Sequence, residues 1–529
     1  MNILIAEKVS DACLQILRRE AGWNVIASSP KEFRQHLADA DALLVRSAVQ
    51  VTADVLAQAP RLKVIGRAGV GVDNVDLEAA TAAGVLVMNT PGGNAVSVAE
   101  HTLALMLAMA RQIPKANATT RAGQWEKKNL VGSELRGKTL GVIGLGSIGR
   151  EVVKRARAFD MKIVAHDPYV TSQIARDLDV QLVALDELYA QCDYITLHLS
   201  LTPETQGLVG REALARMKTG VRLVNCARGE LVDEAALAEA IQAGKVAGAA
   251  LDAFSIEPPP AGFPLFALDQ VIATPHIGGS TEEAQEIVGV RIAEQVCEYL
   301  KSGIAINAVN MAAVPPEQYR AIGPYIALAE RLGMVAAHVA AGNPKAVQVT
   351  YSGKLADWNT SLIRNAALAG LLHRSTEGRA NLVNALQAAG QRGWEIAERH
   401  EARGAFIDSV QVELETDSGR VSLEGAVLLG QPRLVNVDGI YIEVPLTGHL
   451  LLMRNHDVPG VIGYVGSTLG QHGVNIANFS LGRRDAPLHP GAPLEAISVV
   501  TTDQPVPESA VARLLENPAV ITARLVTLP

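Results

Sequence analysis

The chain is poor in cysteine, has no long unbroken apolar run, and carries no strong excess of either charge. Its four cysteines, Cys13, Cys192, Cys226 and Cys297, are scattered and form no C-x-x-C pair. That spacing offers neither a disulfide framework nor a zinc site, and it suits the reduced thiols of a cytosol. No metal is expected. The opening MNILIAEKVS lacks the apolar core and cleavage site of a secretory leader. The apolar run 102–110 is far shorter than the ~20 residues needed to cross a bilayer. A cytoplasmic protein without a membrane partner is expected. Lysine and arginine total 47 against 55 acidic residues, a net charge of −8, which argues against a broad nucleic-acid-binding surface. Any anion must be held by local arginines.

The length of 529 residues suggests about three or four domains, and 48% hydrophobic with 19% charged residues describes globular protein rather than disorder. The most informative stretch is 138–167, KTLGVIGLGSIGREVVKRARAFDMKIVAHD. An apolar strand pattern at Leu140, Val142 and Ile143 ends in Gly144-Leu-Gly146-Ser-Ile-Gly149. Val152, Val153, Ala156 and Phe159 then recur at the spacing of one buried helix face. A second strand, 162–166, ends at Asp167. Gly144 permits the tight turn, Gly146 lets the backbone approach a pyrophosphate, and Gly149 lets helix and strand pack closely. The helix N-terminus adds free N–H groups and a positive dipole end. Asp167, about 20 residues beyond the loop, can accept hydrogen bonds from ribose hydroxyls and would repel the 2′-phosphate of NADP. NAD is therefore the expected cofactor. A nucleophile elbow around Ser147 is excluded, because it needs glycine where Leu145 stands.

Upstream, strand patterns at 2–6, 42–45, 63–65 and 85–89 alternate with helical ones such as 10–19, as in a doubly wound parallel sheet. Ligands bind beyond the carboxyl ends of such strands, where Arg46, Arg67 and Asn94 fall. The alternative for the two arginines is an ordinary surface position. An apolar helix over 96–110 should pack on a sheet, with Glu100 and His101 as a polar helix end, and 124–128 reads as an exposed connection. Further strands are expected at 194–198, 221–225, 247–251 and 271–273.

Three of these strands lead into Arg228, Glu257 and His276. Removing hydride from an alcohol carbon requires a base for the hydroxyl proton, and imidazole titrates in the right range. Glu257 beside His276 would orient the ring and favour its charged form. Arg228 could hold a carboxylate in two parallel hydrogen bonds. Singly, each has a structural explanation. Jointly, after a nucleotide fold, they point to a dehydrogenase.

The segments GRAGVGVDNVD (66–76), TPGGNAVSVAEHTLALML (90–107), GVIGLGSIGREV (141–152), NCARGELVDE (225–234), LDAFSIEP (251–258) and TPHIGGST (274–281) resemble the D-isomer-specific 2-hydroxyacid dehydrogenase family, most closely its phosphoglycerate-oxidising branch. The resemblance implies Arg228, Glu257 and His276 as the catalytic trio. It implies cofactor contacts from the loop glycines, Ser147, Ile148, Asp167, Cys226, Ala227, Arg228, Asp252, His276, Gly278 and Gly279. It further implies that Arg46, Ser47, Arg67 and Asn94 meet the substrate, and arginines beyond Arg228 suit 3-phosphoglycerate, which carries a phosphate as well as a carboxylate. Val70 and Leu199 depart from the threonines frequent in relatives. Rival functions are a glyoxylate or hydroxypyruvate reductase and an NADH-sensing corepressor-like scaffold.

The expected architecture is α/β. Two doubly wound, Rossmann-like parallel-sheet domains precede an α+β intervening domain and a βαββαβ ACT-like domain. The expected bounds are 1–94 with 283–308 for substrate, 95–282 for NAD, 314–445 for the intervening domain and 449–529 for the ACT-like one. Helices are expected at 321–342 and 378–390 and strands at 346–351, 408–415 and 421–428. The ACT resemblance, an amino-acid-binding module, implies L-serine as effector at Asn455, Asp457 and Asn475, with ordinary turn chemistry as the alternative. The family resemblance implies a homotetramer.

Overall fold

The computed structural model describes residues 1–376, 379–401, 408–486 and 493–529. The first sheet contains β1 (Asn2–Ile5), β2 (Asn24–Ala27), β3 (Ala42–Val45), β4 (Val64–Arg67) and β5 (Leu86–Met88), in the order β2-β1-β3-β4-β5 with every pair parallel. β1 and β3 to β5 are apolar and buried, as expected of parallel strands covered on both faces. β2 was not legible in the sequence. It is a partly exposed edge strand, so no continuous apolar run marks it.

The second sheet contains β6 (Thr139–Ile143), β7 (Lys162–His166), β8 (Gln181–Leu182), β9 (Tyr194–Leu197), β10 (Val221–Asn225), β11 (Val246–Leu251) and β12 (Val271–Ala273). Its parallel order, β8-β7-β6-β9-β10-β11-β12, reverses direction between β6 and β9. That is the topological switch point at which dinucleotides bind. The helix Ser147–Arg157 leaves the glycine loop directly, burying Val152, Val153 and Ala156. Phe159 departs from expectation: the helix has ended, and its ring is 38% exposed. The helix Ala95–Ala110 packs over this sheet through Val98, Met106 and Met109. Helix Glu282–Ser302 returns to the first sheet, placing Ile292 and Val296 against Ile3 and Leu44.

The third sheet orders β13 (Pro344–Ser352), β14 (Glu395–Glu401), β15 (Ser409–Thr416), β16 (Gly419–Leu428), β17 (Gln431–Val437) and β18 (Ile440–Pro445) as β14-β13-β15-β16-β17-β18. Only β13 and β14 are parallel among its pairs. Helices Pro316–Val339 and Ser361–Leu372 pack on it, and a Cβ at Gly333 would come within 2.2 Å of the Ala367 carbonyl. Ser361–Leu372 was not foreseen because it is buried nearly all round and has no polar stripe. The helix expected over 378–390 begins only at Ala385, and residue 378 lies outside the described residues.

The last unit is β19 (Gly448–His456), helix Val461–Gln471, β20 (Ile476–Arg483), β21 (Glu495–Thr502), helix Glu508–Leu515 and β22 (Val520–Leu528). Its antiparallel sheet runs β20-β21-β19-β22, the βαββαβ pattern read from the sequence. Alternate residues of β19 enter different cores. Leu451 and Met453 pack under the two helices of this unit, whereas Leu450 and Leu452 join the core of the third sheet.

Candidate active site

The carboxyl ends of the parallel strands open onto a cleft of about 260 Å³ whose wall combines both sheets. From the first come Arg67 at the end of β4, Gly71, Pro91 and Asn94. From the second come Ser147 and Ile148, His198 and Leu199 after β9, Ala227 and Arg228 after β10, Asp252 after β11, and His276 after β12.

The glycine loop is built as its spacing demands. Gly144 has φ of +97°, and a Cβ there would lie 2.4 Å from the His198 carbonyl. A Cβ on Gly149 would fall 2.0 Å from the Gly144 carbonyl, so only glycine lets the helix sit this close to the turn. Gly146, in contrast, meets nothing within 4 Å and leaves its backbone open to the cleft. Asp167 follows β7. Its Oδ2 accepts a hydrogen bond from the Leu145 N–H at 2.8 Å, and its Oδ1 one from the Tyr169 N–H at 2.9 Å. The acidic side chain thus braces the loop and still has lone pairs to offer a ribose.

His276 sits on a left-handed backbone, φ +53°, with Nδ1 at 2.8 and 2.9 Å from the two oxygens of Glu257. Glu257 also accepts from the Phe254 N–H at 3.0 Å, which fixes its orientation. The hydrogen bond to Glu257 raises the pKa of His276 against the opposing effect of burial. For Glu257 burial pushes upward, yet the bonds from His276 and Phe254 outweigh it and hold the carboxyl below its usual range. The result is a pair poised to bear a proton on imidazole.

Asp252, 1% exposed, organises the loop that carries His276. It accepts from the Ile277 and Gly278 N–H groups at 2.9 and 2.8 Å and from the Thr274 hydroxyl at 2.5 Å. Burial alone would favour the neutral acid, but this set of donors and nearby His101 keep its pKa low. His101 is not the polar helix end expected. Its Nε2 lies 3.1 Å from Thr274 Oγ1 and 3.3 Å from Asp252 Oδ1. His101, Cys226 and Asp252 have ligand-type atoms within 4.8 Å of one another. Burial pushes the Cys226 thiol up to about 12, and the Asp252 oxygens are already engaged by donors. The cluster reads as hydrogen-bonded support for the His276 loop, not as a metal centre.

Arg228 extends from a turn knotted by Asn225, whose amide donates to the Arg228 carbonyl at 2.8 Å and accepts from the Ala227 N–H at 3.0 Å. Its guanidinium donates to Asp73 of the first sheet's loop, with Nε at 3.0 Å and Nη2 at 2.8 Å. Arg67 is largely buried, and its Nε has no partner. Burial and the neighbouring Arg228 charge pull its pKa down to about 10, still fully charged near neutrality. A buried arginine with an unpartnered Nε in a cleft is suited to an incoming anion.

The other expected substrate residues divide. Asn94 lines the cleft with its Oδ1 unpartnered. Arg46 does not line it: its Nη1 donates to the Lys8 carbonyl at 3.2 Å, and Ser47 beside it is exposed. His198 was missed as a site residue. Burial lowers its pKa to about 3, so it is a neutral ring, and its Nδ1 is unpartnered at the cleft. No local motif announces it.

These features fit NAD: an open glycine backbone at a helix N-terminus, a carboxylate after β7, and unpartnered polar atoms along the cleft.

The three polar residues of the C-terminal unit are each engaged elsewhere. Asn455, 1% exposed, accepts from the Ser498 hydroxyl at 2.9 Å and donates to the His456 carbonyl at 3.0 Å. Asp457 lies 3.4 Å from Arg483, and Asn475 donates to Asp503 at 2.6 Å. A cavity of about 250 Å³ between this unit and the third sheet is walled by Arg420, Asp438, Arg454 and Arg524, among others, and by none of the three.

Family comparisons agree along the chain. Residues 103–278 match the NAD-binding domain of D-isomer-specific 2-hydroxyacid dehydrogenases, 321–438 the intervening domain of D-3-phosphoglycerate dehydrogenase, and 449–519 the ACT domain. The chain is 43% identical to a D-3-phosphoglycerate dehydrogenase of Methanocaldococcus jannaschii and 38% identical to one of Bacillus subtilis, with all of each chain covered. Its fold is similar to an NAD-dependent formate dehydrogenase of Staphylococcus aureus solved with NAD, with a TM-score of 0.53 and 29% identity over 59% of this chain and all of that one. With full-length identity at this level and the same series of domains, the chain belongs to the D-3-phosphoglycerate dehydrogenase family of the D-isomer-specific 2-hydroxyacid dehydrogenases.

Proposed function

We propose that this chain catalyses the NAD-dependent oxidation of 3-phospho-D-glycerate to 3-phosphohydroxypyruvate, the entry to L-serine by phosphorylated intermediates. The observation that carries this reading is the placement of the His276–Glu257 pair in one cleft with two arginines, Arg228 and Arg67. One base and two separate cations match a hydroxyacid that is anionic at both ends.

Bound along the glycine loop, NAD supplies the hydride acceptor. The backbone from Gly144 through Gly149, with Ser147 and Ile148, would hold its phosphates, Asp167 would hold a ribose, and Cys226, Ala227, Asp252, Gly278 and Gly279 would shape the remaining wall. Nδ1 of His276 is committed to Glu257, so Nε2 is the atom that takes the hydroxyl proton. Glu257 offsets the imidazolium charge that results. Arg228 grips the carboxylate, and Arg67 takes the phosphate with Asn94 beside it, while Arg46 and Ser47 stand outside the cleft wall. In the reverse direction the imidazolium returns its proton to the forming alkoxide.

The associated division assigns 1–94 and 283–308 to substrate, 95–282 to NAD, 314–445 to the intervening unit and 449–529 to an effector. L-Serine is the effector proposed for the C-terminal unit, and the assembly proposed is a cytoplasmic homotetramer. The attachment of an ACT domain to the chain supports the effector.

Initial rates of NADH oxidation with 3-phosphohydroxypyruvate, glyoxylate and hydroxypyruvate, each with and without millimolar serine, test the proposal. A strong preference for the phosphorylated ketoacid, lost in Arg67→Ala, supports it. Equal or better turnover of glyoxylate overturns the substrate assignment. NADH binding without turnover of any ketoacid would favour a cofactor-sensing scaffold instead.

A further inference from the structure

The pairing of Arg228 with Asp73 has no part in the chemistry above, although Arg228 lines the cleft. Asp73 lies in the loop after β4 and Arg228 in the turn after β10, so the pair bridges the first sheet to the second. Both Nε and Nη2 of the guanidinium address one carboxylate oxygen, Asp73 Oδ2. This is the donor edge that a bidentate carboxylate ligand would use. The backbone is shaped around the contact. A Cβ on Gly71 would stand 2.0 Å from Arg228 Nη2 and 2.7 Å from Asp73 Oδ2, so any larger residue there would displace the pair. Asp73 is 64% exposed along its side chain, and an ion pair that open contributes little to stability. Its negative charge also reaches buried Arg67, whose charged form it favours.

We propose that Asp73 is a resident carboxylate that competes with substrate for Arg228 and so sets the affinity of the cleft for ligands that bear a carboxylate. The inference rests on Arg228 being the carboxylate-binding arginine of the proposed reaction. A ligand with one carboxylate exchanges one negative charge for another at Arg228 and gains little Coulomb energy. A ligand that also carries a phosphate gains a second contact at Arg67, whose Nε is unpartnered. Displacing Asp73 costs both kinds of ketoacid the same at Arg228. Substrate entry replaces the bridge between the two sheets with a bridge through the ligand.

Steady-state kinetics of the full-length enzyme with NADH, using 3-phosphohydroxypyruvate and hydroxypyruvate in turn, test this on Asp73→Asn and Asp73→Glu. In Asp73→Asn, KM is expected to fall for both ketoacids with kcat little changed. The fall is about two- to fivefold for each, the worth of one partly exposed charge pair. Asp73→Glu, which keeps the charge, keeps KM near the wild-type value for both. A higher KM with lower kcat for both substrates would make Asp73 a prop for Arg228, and unchanged kinetics would leave it a surface pair. Either result overturns the proposal. If the wild type turns over neither ketoacid, the functional reading fails separately, and the competition is read from oxalate binding to the NADH complex by nicotinamide fluorescence. Tighter oxalate binding in Asp73→Asn then supports the competition, and equal or weaker binding overturns it.

Discussion

The cleft between the two parallel sheets and the sheet of the C-terminal unit treat their polar residues in opposite ways. In the parallel sheets, residues from distant parts of the chain arrive at one edge because every strand ends on the same side. Arg67, Ser147, Arg228 and His276 follow four different strands and meet in one wall. The antiparallel sheet sends successive strand ends to opposite edges, and both faces of its central strand are spent on packing. Asn455, Asp457 and Asn475 accordingly each pair with a different neighbour. Convergence of chemistry is a property of topology before it is a property of residue type.

The largest test of this contrast is His276→Ala, which should cut kcat by about 10²- to 10⁴-fold, the usual worth of a positioned general acid or base, while NADH binding by fluorescence stays near wild type. Glu257→Gln should move the pH profile in a stated direction. Glu257 raises the His276 pKa, so the imidazolium persists to higher pH in the wild type. Removing the charge lowers that pKa, and the alkaline fall of ketoacid reduction should shift to lower pH. An unshifted profile would mean that the titrating group is not His276.

In the C-terminal unit the expectation is structural. Asn455→Ala strands the buried Ser498 hydroxyl, at a cost of about 1–3 kcal/mol in denaturant unfolding of that unit. Asp457→Ala removes an open pair and should change stability by less than about 1 kcal/mol. Loss of serine inhibition in Asp457→Ala with stability intact would show that the effector gathers residues the isolated chain keeps apart. A comparably small effect belongs to Leu199→Thr at the cleft wall. It adds about one hydrogen bond, so NADH affinity should change by no more than about tenfold.

Legibility followed chain distance. The glycine loop and Asp167 could be read because strand, turn, helix and strand are contiguous, and each glycine answers to a local clash or opening. Glu257 and His276 lie 19 residues apart and were suggested by their strand-end positions. Asp73 and Arg228 lie 155 residues apart, and nothing near either residue announces the other. Edge strands β2 and β14 were missed because exposed strands need no apolar pattern. The helix Ser361–Leu372 was missed because uniform burial leaves no period to read.

By itself the sequence determined the kinds of unit, their order, the nucleotide loop and the inventory of reactive groups, since these depend on local periodicity and turn chemistry. Only the tertiary structure decided that His101 braces Asp252, that Arg46 turns to Lys8 while Arg67 lines the cleft, and that Asp73 rests on Arg228. Those outcomes depend on how two sheets face each other, and the free energy that sets that arrangement comes from cores shared by residues far apart in the chain.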